Sequence, residues 1–156
     1  MPIRTKAMAN DPIGIFDSGI GGLTVAAAIH RLLPNEQLIY FGDTAHLPYG
    51  DKSADAIRGY SRRIAQFLLE KNCKAVVIAC NTASSVAFKD VKELTKGIAV
   101  ATNVIDPMVA YVSKKHAGKK VGVIGTKGTI GSRVYPRKFK QKAPQPMAAG
   151  LKKLCA

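Results

Sequence analysis

The chain has 156 residues, 47% of them hydrophobic and 6% aromatic, which is enough for a domain with a real core and too apolar for a disordered polymer. It has no run of 18 or more apolar residues, so no transmembrane helix is expected. The formal net charge of +14 first points to a nucleic-acid partner, but residues 1–113 hold all ten acids and twelve bases, a balance of +2. Residues 114–156 hold the other twelve bases and no acid, so the basicity belongs to the C-terminal segment.

The opening stretch, MPIRTKAMANDP, is polar and lacks the apolar centre of a secretory signal. Residues 1–11 therefore read as a loose leader, and a cytoplasmic location is expected. IGIFDS (13–18) is an apolar run stopped by a carboxylate and predicts a buried strand. GIGG follows as a turn, and LTVAAAIHRLL (23–33) is rich in helix formers and closed by Pro34 and Asn35. QLIYFGD (37–43) is the next strand, and TAHLPYGDK (44–52) is a loop punctuated by Pro48 and Gly50.

Ser53 can cap a helix over 54–71, because Ile57, Tyr60, Ile64, Phe67 and Leu68 recur at spacings of three and four. Asn72 is a plausible helix stop. KAVVIA (74–79) predicts a third strand, 82–95 a helix and GIAVATNV (97–104) a strand. Asp106 and Pro107 read as an N-cap followed by proline at the first helical position, and Gly118 ends that helix. KKVGVIGT (119–126) reads as a fifth strand. After Gly131 no clean period remains, and Pro136, Pro144 and Pro146 interrupt the rest of the chain.

Strands alternate with helices, and the strands are short, apolar and β-branched. That pattern predicts an α/β fold of the doubly wound type, a mostly parallel sheet with helices on both faces. Ligands in such sheets bind beyond the carboxyl ends of the strands. Here those ends carry Asp17-Ser18, Gly42-Asp43, Cys80-Asn81-Thr82 and Gly125-Thr126.

The three cysteines, Cys73, Cys80 and Cys155, form no CxxC pair and have no ligand spacing with His30, His46 or His116. Neither a disulfide framework nor a zinc site is expected. Cys80 ends a strand just before a helix begins at Asn81 and Thr82. A helix N-terminus presents free N–H groups and partial positive charge, a setting that favours a thiolate and binds carboxylates. A lone cysteine is more often an inert core thiol, and that reading stays open beside the reactive one. Cys73, at a helix–strand junction, reads as structural; Cys155 has no recognisable context.

FDSGIGGLT (16–24) invites a nucleotide reading, yet Thr24 stands where the dinucleotide fingerprint needs its third glycine, and the Walker lysine is absent. A tight β–α turn or an Asp-x-Gly phosphate loop both fit it. LPYGDK (47–52) is either a plain turn or a loop that covers a ligand with its tyrosine.

Taken in order, IGIFDSGIGGLTV, YFGDTAHLPYG, VIACNTAS and GVIGTKGTI resemble bacterial glutamate racemases, of the aspartate/glutamate racemase family. The resemblance spans roughly residues 12–135 and rests on several separated motifs. It implies a cofactor-independent isomerase, without pyridoxal phosphate, that interconverts L- and D-glutamate and supplies D-glutamate for peptidoglycan. It implies two α/β domains with the site between them, and two thiols facing the substrate's α-carbon. Residue by residue, it assigns Cys80 as one of those thiols, Asp17 as its assistant, and Asp17, Ser18, Tyr49, Gly50, Asn81 and Thr82 as substrate-binding.

The family's second cysteine segment, resembling GCTHYP, does not occur in this sequence. The resemblance therefore divides the chain into a first racemase domain at 12–104, lacking its closing elements, the start of a second at 105–135, and a basic, disordered or non-native tail at 136–156. A changed reading frame or an early end of the coding region would account for the acid-free tail. Impaired activity is expected from the missing thiol, and self-association from exposed sheet edges. Two other functions fit less of the sequence. One is a basic fragment binding nucleic acid or acidic surfaces, weakened by the lack of interleaved aromatics. The other is an Asp-x-Gly phosphotransfer domain, which leaves Cys80 without a role.

Overall fold

The computed structural model describes residues 8–142. In chain order it runs β1 (Ile13–Asp17), α1 (Leu23–Leu32), β2 (Leu38–Gly42), a 3-10 turn (Tyr49–Asp51), α2 (Ala54–Glu70), β3 (Ala75–Ile78), α3 (Asn81–Thr95), β4 (Val100–Asn103), α4 (Ile105–Lys115), α5 (Lys127–Gly131) and α6 (Val134–Lys142). The four strands form one parallel sheet in the order β2-β1-β3-β4. This is the doubly wound α/β arrangement that the alternation of elements predicts.

Right-handed crossovers decide which face each helix covers. The chain moves from β1 outward to β2, then back across β1 to β3 and on to β4, so α1 lies on one face and α2 and α3 on the other. Because side chains alternate along a strand, the core divides accordingly. Phe16, Val76 and Ile78 pack with Ile57, Ile64 and Leu68 of α2 and Ala83, Ala87 and Val91 of α3. Ile13, Ile15 and Val77 pack with Val25, Ala26 and Ile29 of α1. A third cluster, Ile105, Val109, Val134 and Phe139, joins α4 to α6.

Local stops follow their chemistry. The Ser53 hydroxyl accepts from the Ala56 amide and caps α2. Asn72 takes the left-handed conformation, φ 59°, just past the end of α2.

Four expectations differ from the structure. The N-cap position of α4 is Val104, not Asp106, which already lies inside the helix; the side chain that meets the free amides is that of Asn103, whose Oδ1 accepts from Ile105 and Asp106 at 2.8 and 2.9 Å. The fifth strand expected over 119–126 does not form, and Ile124 is 92% exposed. Strands are held by ladder bonds to a neighbour, and none of the described strands pairs with this segment.

The tail expected to be irregular from residue 136 instead begins inside α6. Pro136 falls in the first turn of that helix, where its missing N–H has no helical partner to lose. Finally, the last residues of the expected loose leader are tied down. Asp11 is buried, its carboxylate accepts from the Met8 amide at 2.6 Å, and Lys74 donates to the Ala9 carbonyl. The remainder of the leader and of the tail, including Cys155, lies outside the described residues.

Candidate active site

In an open parallel sheet the crevice forms where neighbouring strands send their connections in opposite directions. With the order β2-β1-β3-β4, that point lies between β1 and β3. β1 delivers Asp17 and Ser18 to its carboxyl end, and β3 delivers Cys80. The Cys80 thiol donates to the Ser18 hydroxyl at 3.5 Å.

Cys80 is also the N-cap of α3: its Sγ accepts from the Ala83 amide at 3.4 Å. The thiol, 6% exposed as a residue, thus sits on the positive end of a fifteen-residue helix. The amides of Asn81 and Thr82, first in the helix, have no intrahelical carbonyl to bond and can receive an anion.

The Gly-rich turn is a close-packed device. The Asp17 carboxylate, also buried, accepts from the Gly19 amide at 3.0 Å. The group that touches the thiol is therefore Ser18, with Asp17 bracing the turn behind it. The Tyr40 hydroxyl donates to the Gly19 carbonyl at 2.9 Å. A Cβ on Gly22 would come within 2.6 Å of the Asp17 Cβ and 2.9 Å of the Ala79 Cβ, which explains glycine there. Burial raises the Tyr40 phenol above its usual range, and the charges of Asp17 and Cys80 add to the effect.

Across the crevice, Tyr49 is fully buried and donates to the Asp43 carboxylate at 2.6 Å. Burial, then the bond to Asp43, holds its phenol far above the ordinary range. Gly50 packs on Thr126, where a Cβ would meet the Thr126 Cβ at 2.9 Å. Thr82 turns its hydroxyl away to Thr126 and Thr129, at 2.9 and 3.2 Å. Asn81 accepts the Tyr135 hydroxyl at 2.7 Å, so α6 also reaches the start of α3.

All seven residues singled out from the sequence lie at the carboxyl ends of the strands or in the segments that follow them. Ser18 and Cys80 are in contact; Asp17 adjoins them; Tyr49 and Gly50 come from the loop after β2. Sequence reasoning placed Asp43 and Thr126 at strand ends without a role, and missed Tyr40, Thr129 and Tyr135 altogether. Asp43 could have been found by the rule that a carboxylate ending an apolar strand needs partners. Cys73 lies elsewhere, against Gly14 and Leu68, and burial followed by the nearby Asp11 pushes its thiol up to about 11. Among the described residues no group of three or more His, Cys, Asp and Glu is placed to hold a metal ion.

Fold and site together define a doubly wound α/β protein with a capped thiol at its switch point. The sequence profile of the Asp/Glu/Hydantoin racemase family matches residues 14–154, and the chain belongs to that family. The glutamate racemase of Streptococcus equi subsp. equi is 45% identical over 144 residues, covering 92% of this chain and 54% of its own length. That of Chlorobaculum tepidum is 46% identical over 130 residues, covering 83% and 47%.

Solved structures agree. The Francisella tularensis glutamate racemase, crystallised with D-glutamate, is 43% identical and superposes with a TM-score of 0.83 over 90% of this chain and 52% of that one. A Bacillus anthracis glutamate racemase gives 0.85 at 35% identity, over 90% and 52%. The chain spans about half the length of the relatives it matches.

Proposed function

We propose that this chain carries one half of a glutamate racemase site and abstracts the α-proton of glutamate with Cys80, without a cofactor. The observation that supports it most is the Cys80 thiol at the switch point, held between the Ser18 hydroxyl and the Ala83 amide. A thiolate there takes the α-proton and becomes a thiol, while the electron pair left on the α-carbon delocalises into the substrate carboxylate. Fixed donors must meet that developing charge. The Asn81 and Thr82 amides and the Tyr49–Gly50 segment are the groups assigned to the substrate's carboxylates, with Asp17 and Ser18 serving the thiol.

Full racemisation needs a second acid on the opposite face of the carbanion. Of the two described thiols, Cys80 is the one at the crevice, since Cys73 is buried against Gly14 beside Leu68. The activity proposed for the described half of the site is exchange of the α-proton on the face that Cys80 meets. In the complete reaction the product is D-glutamate for peptidoglycan, in the cytoplasm. Among the described residues no helix is long and apolar enough to cross a membrane.

The test is incubation with L- and with D-glutamate separately in heavy water, followed by proton NMR of the α-position. Deuterium should enter one enantiomer, and Cys80→Ser should stop it. Absence of exchange from both enantiomers would overturn the reading. Self-association through edge strand β4, where Val100 is 67% exposed, belongs to the same proposal; a purely monomeric sedimentation profile would exclude it.

A further inference from the structure

Among the described residues the mechanism leaves two buried carboxylates unused, Asp11 near the start of β1 and Asp43 beside the crevice. Asp43 is 7% exposed and follows the last residue of β2. A carboxylate is costly to bury unless both oxygens find donors, and here both do. Oδ2 accepts the Tyr49 hydroxyl at 2.6 Å, and Oδ1 meets the His46 Nδ1 at 2.7 Å. The Asp43 amide donates to the Asp17 carbonyl at 2.9 Å, so the same residue is bonded to the strand that carries the site.

The loop it serves has little else to hold it. Thr44 to Pro48 are exposed, and the backbone bonds at the start of the loop are local turns, Thr44 to Gly42 and His46 to Asp43. His46 stacks on Tyr60 of α2, with ring centroids 4.0 Å apart and planes at 24°, and Tyr60 also lies 5.8 Å from Tyr49. Asp43 thus draws three parts of the fold to one point: the end of β2, the middle of the loop and the buried tyrosine preceding Gly50. Gly50 in turn presses on Thr126, with no room for a side chain.

From this geometry we infer that Asp43 is a positioning residue, which sets the substrate loop by holding Tyr49 and His46 with its two carboxylate oxygens. The inference rests on the proposed function for its meaning, because the loop matters only if Tyr49–Gly50 meets a substrate. Asp43 itself touches no reacting atom; it acts through Tyr49.

The experiment compares Asp43→Asn, Tyr49→Phe and the double variant in the full chain. Asparagine keeps the shape but offers one acceptor oxygen in place of two. Bonds to a charged acceptor are strong enough that losing one should weaken D-glutamate binding roughly tenfold in each single variant. Since both changes break one shared bond, the double variant should be no more than about twofold worse than the weaker single. The rate of Cys80 alkylation by iodoacetamide should stay within about twofold of wild type, which a general loss of structure would not allow.

Additive losses near a hundredfold, unchanged binding, or alkylation that falls in step with binding would each overturn the inference. If the unsubstituted chain does not bind D-glutamate, the proposed function fails. Amide hydrogen exchange then decides on Asp43 by itself. Both single variants should speed exchange in residues 44–52 at least roughly tenfold and leave 81–95 unchanged. Equal exchange in loop and helix, or no change, overturns it.

Discussion

The Cys80 thiol donates to the Ser18 hydroxyl across 3.5 Å, although 62 residues separate them in the chain. β1 and β3 are neighbours in register, Phe16 beside Ile78, so the residues just beyond their ends are forced together over the crevice. A hydroxyl can rotate to accept from the thiol or to donate to the thiolate. Ser18→Ala should slow alkylation of Cys80 at pH 8 roughly three- to tenfold, as expected for one lost bond to a charged group. Peptide mass spectrometry after timed iodoacetamide treatment reads this directly. An unchanged rate would show that the contact does not serve the thiolate.

Cys73 should behave in the opposite way. Burial, then Asp11, raises its thiol from the usual 9.0 to about 11 in the folded chain. Between those values the unfolded chain gives up the proton while the folded chain keeps it. Stability from this group is therefore complete below about pH 9 and is lost as pH rises to about 11. Urea midpoints of wild type should fall more between pH 8.5 and 10.5 than those of Cys73→Ala. The difference between the two proteins isolates Cys73 from the tyrosines that also titrate there. Parallel curves would rule out this account.

Gly22→Ala should destabilise the chain by about 1–3 kcal/mol, the usual range for overpacking. The added Cβ would meet the Asp17 Cβ at 2.6 Å and the Ala79 Cβ at 2.9 Å, both fixed on strand ends rather than on flexible side chains. The backbone at Gly22 is ordinary helical, φ −66°, so the cost is steric and not conformational. Denaturant unfolding gives the number, and a loss below about 0.5 kcal/mol would mean that the turn is looser than these distances imply.

Thr129→Val should cost about 1–2 kcal/mol, since it removes hydroxyl contacts of 3.2 Å to Thr82 and 3.1 Å to Thr126 at nearly constant volume. The Thr82–Thr126 contact of 2.9 Å remains, so α5 should loosen rather than detach. Hydrogen exchange should rise in α5 and α6 and not in α3. A uniform rise across all three would place the threonine cluster in the core of the whole fold instead.

Particular residues show where sequence reasoning worked. Apolar runs ending at Asp17, Gly42 and Ile78 became β1, β2 and β3, because a strand covered on both faces must be apolar throughout. Asn72 stopped α2 because it tolerates φ 59° better than a branched residue. Cys80 could be read from its place alone as the end of a strand that runs directly into a helix; that its Sγ caps the helix came from the structure.

Where the outcome depended on distant partners, the chain order was not enough. VGVIGT has the residues of a strand, and none of the described strands lies beside it. Pro136 looked like a breaker until the position of α6 put it in a first turn. The Asp43–Tyr49 and Asn81–Tyr135 bonds join elements whose contact is set by packing.

By itself, then, the sequence determined β1 to β4, the helices α1 to α4 between and after them, and the presence of Cys80 at a helix start. Those follow from period, capping and local backbone chemistry, which act within a few residues. Only the tertiary structure decided that Ser18 rather than Asp17 meets the thiol, that Thr82 turns to Thr126 and Thr129, and that Asp43 gathers Tyr49 and His46. Those choices depend on strand order and on side-chain bonds made after the chain has folded back on itself.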